Sequence, residues 1–165
     1  MADTNSDMKV LAAVVAALEA VKLEAIVVGA TAAILRGAPL MTADIDLLVR
    51  DTPRNREKFE AFAQALGAAK PRAISDISSA LTVEGGPVSV DLLLETIPGN
   101  LRFASVRSRG ERMAIGSGSI CVASLEDIIR SKTAAGRPKD VYHLEVLRQL
   151  LAVRASLADG TEDGG

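Results

Sequence analysis

Three carboxylates stand where strand residues are expected to be apolar. Asp44 and Asp46 alternate with Ile45, Leu47 and Val49, and Asp91 lies inside Val88-Ser89-Val90-Asp91-Leu92-Leu93-Leu94. On a strand, residues two apart point to the same face, roughly 6.5–7 Å apart, so Asp44 and Asp46 project together while Ile45, Leu47 and Val49 face the core. Two carboxylates ~6 Å apart repel by roughly 3 kcal/mol at an effective dielectric near 20. A hard divalent cation with oxygen ligands relieves that repulsion, and Mg²⁺ is the ion suited to phosphate substrates. Asp91 has no basic residue within five positions. A buried acid needs a partner, either a metal shared with Asp44 and Asp46 or a long-range salt bridge. An Asp-x-Asp pair by itself is a weak signal, because most such pairs are solvated turn or edge residues.

The elements that would position these groups follow from periodicity. From Asp7, apolar residues at Leu11, Val14, Val15 and Leu18 fit an amphipathic helix. Ala25 to Val28 reads as a short buried strand ending at Gly29, and Thr31 to Arg36 as a helix closed by Gly37 and Pro39. A strand over Asp44 to Val49 precedes Thr52-Pro53, a capping Thr with Pro at the first helical position, and a helix to about Leu66 that buries Phe59 and Phe62. Gly85-Gly86 lies between two apolar stretches and reads as a hairpin. A short helix at Phe103 to Arg107 and strands at Arg112 to Ile115 and Ser119 to Val122 come next. Ser124 with Asp127 resembles a capping box, and two helices joined at Gly136-Pro138 end the fold. The expected class is α+β: a mixed β-sheet with flanking helices and a C-terminal helical pair, Asp44 and Asp46 lying on a central strand. Residues 1–157 form one domain, and the small, acidic segment 158–165 reads as a disordered tail.

Gly29 ends a strand and leads into a helix, so the N–H groups of Gly29 and Ala30 at the positive helix end could cradle phosphates. A tight strand-to-helix turn explains the same glycine without a ligand. Lys132 shares the apolar stripe of Leu125, Ile128 and Ile129, where a lysine either snorkels out, pairs with an acid or reaches into a cleft. Asp140, His143, Leu144 and Leu147 make the facing stripe, so a Lys132–Asp140 brace and a phosphate contact both remain open, and His143 reads as a packed histidine rather than a base.

Bulk properties narrow the function classes. The chain has 165 residues, a net charge of −2 and a pI near 5.5, so its surface as a whole is no polyanion trap. Only three Phe and one Tyr are present, few platforms for stacking unpaired bases. Basic residues outnumber acids eight to three between Arg102 and Lys139, a run that could face a polyphosphate or simply be solvated. The single cysteine, Cys121, lies in an apolar run and reads as an inert buried thiol. No signal peptide or apolar run of about 20 residues is visible, so a cytoplasmic protein without membrane contact is expected.

Taken together, Gly29, Thr42, Asp44-Ile45-Asp46-Leu47, the strand with Asp91 and the run Ser124-Leu125-Glu126-Asp127, Lys132 and Gly136 to Asp140 resemble the nucleotidyltransferase superfamily over residues 24 to 148. The nearest likeness is to small bacterial members related to abortive-infection nucleotidyltransferase toxins, which implies a possible cognate antitoxin as partner. The resemblance implies transfer of a nucleoside monophosphate from NTP to an acceptor hydroxyl on RNA, protein or a small molecule. Asp44, Asp46 and Asp91 would hold two Mg²⁺ ions, and Gly29, Ala30 and Lys132 would bind the nucleotide. Ala30 stands where the family has Gly or Ser, and Leu40 where relatives carry arginine. The alternative is therefore a catalytically inactive domain of the same kind that binds a nucleotide or a partner protein.

Overall fold

The computed structural model describes residues 4–74 and 79–162. Its helices are α1 (Thr4–Val21), α2 (Gly29–Leu35), α3 (Pro53–Ala65), α4 (Phe103–Arg109), α5 (Leu125–Ala135) and α6 (Asp140–Glu162). Its strands are β1 (Ala25–Val28), β2 (Asp44–Val49), β3 (Arg72–Ala73), β4 (Ala80–Val83), β5 (Ser89–Leu94), β6 (Thr96–Ile97), β7 (Leu101–Arg102), β8 (Glu111–Ile115) and β9 (Gly118–Val122). Among the described residues, seven strands form one sheet in the order β3-β4-β5-β2-β1-β9-β8, and β6 pairs with β7 in a small second sheet. The pairs β2–β5 and β1–β9 are parallel, and the other pairs of the large sheet are antiparallel. The fold is thus α+β with a mixed sheet, and β2 is its middle strand.

Local chemistry accounts for the helix ends. The Thr52 hydroxyl accepts from the Asn55 N–H at 3.1 Å, with Pro53 at the first turn. The Ser124 hydroxyl likewise accepts from the Asp127 N–H at 3.1 Å. The reciprocal half of a capping box is missing, because the Asp127 carboxylate accepts instead from Arg109 Nε at 2.9–3.0 Å. Gly136 closes α5 in the left-handed region at φ 61°, the conformation a glycine adopts at least cost.

Aliphatic side chains supply most of the core. All four residues of β1 are buried, as are Leu47, Leu48 and Val49 in β2, with Phe59 and Phe62 of α3 and Phe103 of α4. Helix α1 packs on α3 and against β8 and β9, and α2 packs on β1, β2 and α5. Helix α6 pairs with α5 through the stripe begun by Asp140 and Leu147, both buried.

One expectation needs correcting. The final helix runs on to Glu162, so residues 158–162 are helical and not part of a disordered tail. Extending an existing helix costs far less than starting one, so a segment of small and acidic composition can continue it. Residues 163–165 lie outside the described residues.

Candidate active site

The sheet brings the carboxylates together by register. In the parallel β2–β5 pair, Asp46 stands directly opposite Asp91, and Asp44 stands opposite Ser89. Because side chains alternate along each strand, Asp44, Asp46 and Asp91 share one face of the two central strands. Asp44 is exposed at the start of β2, and Asp46 and Asp91 are half-buried. The Asp44 backbone is pinned on both sides. Thr31 Oγ1 donates to its carbonyl at 3.0 Å, and its N–H donates to Thr42 Oγ1 at 3.3 Å.

Asp46 carries the electrostatic cost of this arrangement. Its pKa rises from 3.8 to about 6, first through burial and then through the charges of Asp91 and Asp44. Arg137 and Lys132 act in the opposite direction. Asp46 is therefore under repulsion that a cation would relieve, and every donor present is a hard oxygen suited to Mg²⁺. Even so, among the described residues no group of three or more His, Cys, Asp or Glu side chains is arranged to hold a metal ion. A closed three-carboxylate cage is thus not preformed among the described residues, and Asp44 lies two residue pairs further along the sheet than Asp46 and Asp91. Mg²⁺ is commonly held by one or two carboxylates with phosphate oxygens completing its shell, and the Asp46–Asp91 pair fits that use.

Gly29 is shaped by Asp46. It opens α2 with φ +66°, and a Cβ added there would lie 2.6 Å from Asp46 Oδ2. The backbone conformation disfavours a side chain there, and one could enter only by displacing the Asp46 carboxylate. Ala30 follows as the second residue of the helix. No side chain caps α2 at its N-cap residue, Val28. The first N–H groups of a helix have no intrahelical acceptor, so these backbone donors begin beside the Asp46 carboxylate.

Lys132 is buried, and its ammonium lies 3.2 Å from Asp140 Oδ1 and 3.3 Å from His143 Nδ1. Asp140 Oδ2 accepts from Arg137 Nε at 2.7 Å. Burial works to raise the Asp140 pKa, but the hydrogen bonds and charges of Arg137 and Lys132 outweigh it and hold the carboxyl below its usual range. Burial and the Lys132 charge push His143 down, so its neutral ring can accept from the lysine. The Lys132–Asp140 brace between α5 and α6 is present, and its charge still reaches Asp46. Cys121 is buried, which pushes its thiol pKa up.

Sequence reasoning singled out no role for Arg137 or Thr31. Arg137 sits in the loop after Gly136, and only the folded helical pair turns its charge towards Asp46. Thr31 is three positions from the end of β1, a spacing that offered a weak signal for a hydroxyl near the strand end. Arg36 is committed elsewhere, donating to the carbonyls of Ala123 at 3.1 Å and Val122 at 3.0 Å and pairing with Glu111 at 2.7 Å.

Solved structures share this architecture. The solution structure of the antibiotic-resistance factor ANT(2'')-Ia superposes with a TM-score of 0.60 at 17% identity, covering 99% of this chain and 100% of that one. A crystal structure of ANT(2'')-Ia in complex with adenylyl-2''-tobramycin gives 0.60 at 20% identity, covering 94% and 92%. The TM1012 protein of Thermotoga maritima gives 0.58 at 18% identity, covering 92% and 96%. At these identities the likeness is one of fold. No curated protein matches the sequence significantly. Residues 7–159 match the model of a family described as nucleotidyl transferase of unknown function (DUF2204), a span that includes the paired strands, Gly29 and the C-terminal helical pair. On that match the chain belongs to this nucleotidyl transferase family.

Proposed function

We propose that the protein transfers a nucleoside monophosphate from an NTP to an acceptor hydroxyl with the help of Mg²⁺. The observation that carries this reading is the face-to-face placement of Asp46 and Asp91 beside Gly29, with Asp44 on the same face. Asp44, Asp46 and Asp91 would hold the two ions that the family resemblance implies, with nucleotide phosphates completing the shells. When bound, Mg²⁺ supplies neutralisation of phosphate charge and acidifies a coordinated hydroxyl.

The chain's own residues supply the rest. Asp91, half-buried on the middle of the sheet, takes up the acceptor proton. The N–H groups of Gly29 and Ala30 donate to phosphate oxygens, a role that Ala30 keeps although a serine hydroxyl is lacking. An ammonium has three N–H donors. Asp140 and His143 account for two of those of Lys132, so one is left for a phosphate. Arg137 adds positive potential at Asp46.

A second reading is favoured by Leu40 and Ala30: a domain of this family that binds nucleotide or a protein partner without turnover. Leu40 is buried in the apolar wall near Asp44, where no cation can stand in for the arginine of the resemblance. The narrower kinship with abortive-infection toxins, and with it a cognate antitoxin, rests on the sequence motifs alone. No helix among the described residues is long and apolar enough to cross a membrane.

Isothermal titration with Mg²⁺ and a non-hydrolysable ATP, GTP, CTP or UTP analogue tests the site. Binding should require Mg²⁺ and should be lost in Asp46→Asn. Equal binding with and without Mg²⁺ in both proteins would remove the metal-site reading.

A further inference from the structure

At the Asp44 end of the carboxylate face lies a pocket of about 760 Å³ whose wall includes Asp44, Thr31 and Thr42 but neither Asp46 nor Asp91. This volume lies within the range of small-molecule sites. Most of its remaining lining is apolar: Met8 and Leu11 of α1, Ile34 and Leu35 of α2, Met41 of the loop before β2, and Val88 beside β5. Met41 is 70% exposed and Met8 40% exposed, so two flexible thioethers flank an open mouth. The charged lining groups are Asp7 and Asp44, and among the described residues no Lys or Arg lines the pocket.

That chemistry sorts the possible occupants. Phosphates gain nothing from a wall without cations, and Lys132 and Arg137, the cations of the C-terminal helical pair, line no part of this pocket. In phosphoryl transfer the attacking and leaving oxygens stand roughly in line on opposite sides of the phosphorus. If the leaving pyrophosphate is drawn towards Lys132 and Arg137, the attacking hydroxyl must enter from the side without cations. A strand of RNA would meet an acidic, apolar wall there. A polycationic aminosugar would find two carboxylates and would have to desolvate several ammonium groups against methyl and methylene surface.

We infer that this pocket receives the apolar body of a small hydroxyl-bearing acceptor, neutral or singly cationic, and presents its hydroxyl at the Asp44 end. The inference rests on the nucleotidyl-transfer reading above and names the acceptor class for that site. In the reaction the hydroxyl oxygen bonds to the α-phosphorus, and the bond from that phosphorus to the oxygen bridging to the β-phosphate breaks. Pyrophosphate leaves with the electron pair, and the hydroxyl proton passes to a carboxylate of the cluster. The acceptor class therefore differs from the tobramycin part of the adenylyl-2''-tobramycin in the ANT(2'')-Ia complex.

Methyl-¹³C methionine NMR on the full chain tests the inference, with 1-naphthol as the neutral apolar hydroxyl probe and tobramycin as the polycationic one. Met113 on β8 is the internal control. With Mg²⁺ and a non-hydrolysable ATP analogue present, 1-naphthol should shift the Met8 and Met41 methyl signals and leave Met113 in place, and tobramycin should shift none. Met41→Glu, at an exposed position, should weaken 1-naphthol about tenfold, as expected for loss of one apolar side-chain contact. If the analogue binds but 1-naphthol moves neither signal, or tobramycin moves both, the acceptor class is wrong while nucleotidyl transfer stands. If no nucleotide binds by calorimetry under any of these conditions, nucleotidyl transfer itself fails and the acceptor assignment falls with it.

Discussion

A Cβ on Gly29 would sit 2.6 Å from Asp46 Oδ2, so the turn into α2 and the middle carboxylate of the sheet occupy one another's space. Neither residue can change without the other responding. The turn brings backbone N–H groups to the carboxylate face, and its left-handed backbone together with the nearby carboxylate favours glycine there.

That coupling has an energetic signature. Gly29→Ala should destabilise the protein by about 1–3 kcal/mol, from the left-handed backbone and the clash together. In an Asp46→Ala background the clash term disappears and only the backbone cost of about 1–2 kcal/mol remains. Urea denaturation of the four proteins in the cycle should show non-additivity of at least about 0.5 kcal/mol, as expected of residues in contact. Strict additivity would mean that the two residues do not share this space.

Asp46 should make stability depend on pH in an unusual direction. Its folded pKa of about 6 lies above the ordinary 3.8, so the folded state holds the proton more tightly than the unfolded chain. The associated stability is present below pH 3.8 and is lost as pH rises through 6. Asp46→Asn, which cannot ionise, should therefore stabilise the metal-free protein by about 3 kcal/mol at most above pH 7, with the gain shrinking to nothing near pH 4. Thermal melts across pH 4–8 in the presence of chelator check it. Adding Mg²⁺ with a nucleotide analogue should reverse the order, since only the wild type keeps the full ligand set.

Lys132 and Asp140 should behave as a buried pair. Asp140→Asn leaves the buried Lys132 ammonium without a countercharge and should cost about 3–5 kcal/mol, whereas Lys132→Met leaves Asp140 its Arg137 partner and should cost less. The double variant should recover much of that loss. A double variant that regains stability but binds Mg²⁺–nucleotide at least about tenfold more weakly would show that the lysine also serves the phosphates. Intact binding would make it a brace alone.

Much of this arrangement was legible in the residues because the signals were local. Thr52-Pro53 and Ser124 mark helix starts through their own side-chain chemistry, and Gly136 marks an end through its backbone. The alternation around Asp44 and Asp46 put both on one face before any partner strand was known. The placement of Asp91 opposite Asp46 was not local. It depends on β5 docking in parallel beside β2, a pairing that no periodicity specifies, and only the unsupported acid in an apolar strand hinted at it. The two-residue strands β3, β6 and β7 are too short to carry a period. Arg137 was hidden for a similar reason, since a loop residue's position follows from how α5 and α6 pack. The composition of residues 158–162 suggested disorder because it has no packing signal, but continuation of α6 needs none.

Asp91 should separate binding from turnover. Asp91→Asn keeps the size and hydrogen-bonding reach of the side chain while removing its basicity. Nucleotide binding should fall by no more than about tenfold, whereas transfer should fall by at least about a hundredfold, the usual range for a lost general base. Equal losses in both would assign Asp91 to nucleotide binding only.

The most direct measurement of the central claim follows label from NTP to acceptor. Purified protein with Mg²⁺ and a cell extract is incubated with NTP labelled at either the α- or the γ-phosphate. Nucleotidyl transfer requires α-label in a product other than NMP or NDP, γ-label only in pyrophosphate, and neither outcome with Asp46→Asn or without Mg²⁺. Stable association of nucleotide with no α-label transferred, or transfer of the γ-label, would contradict it.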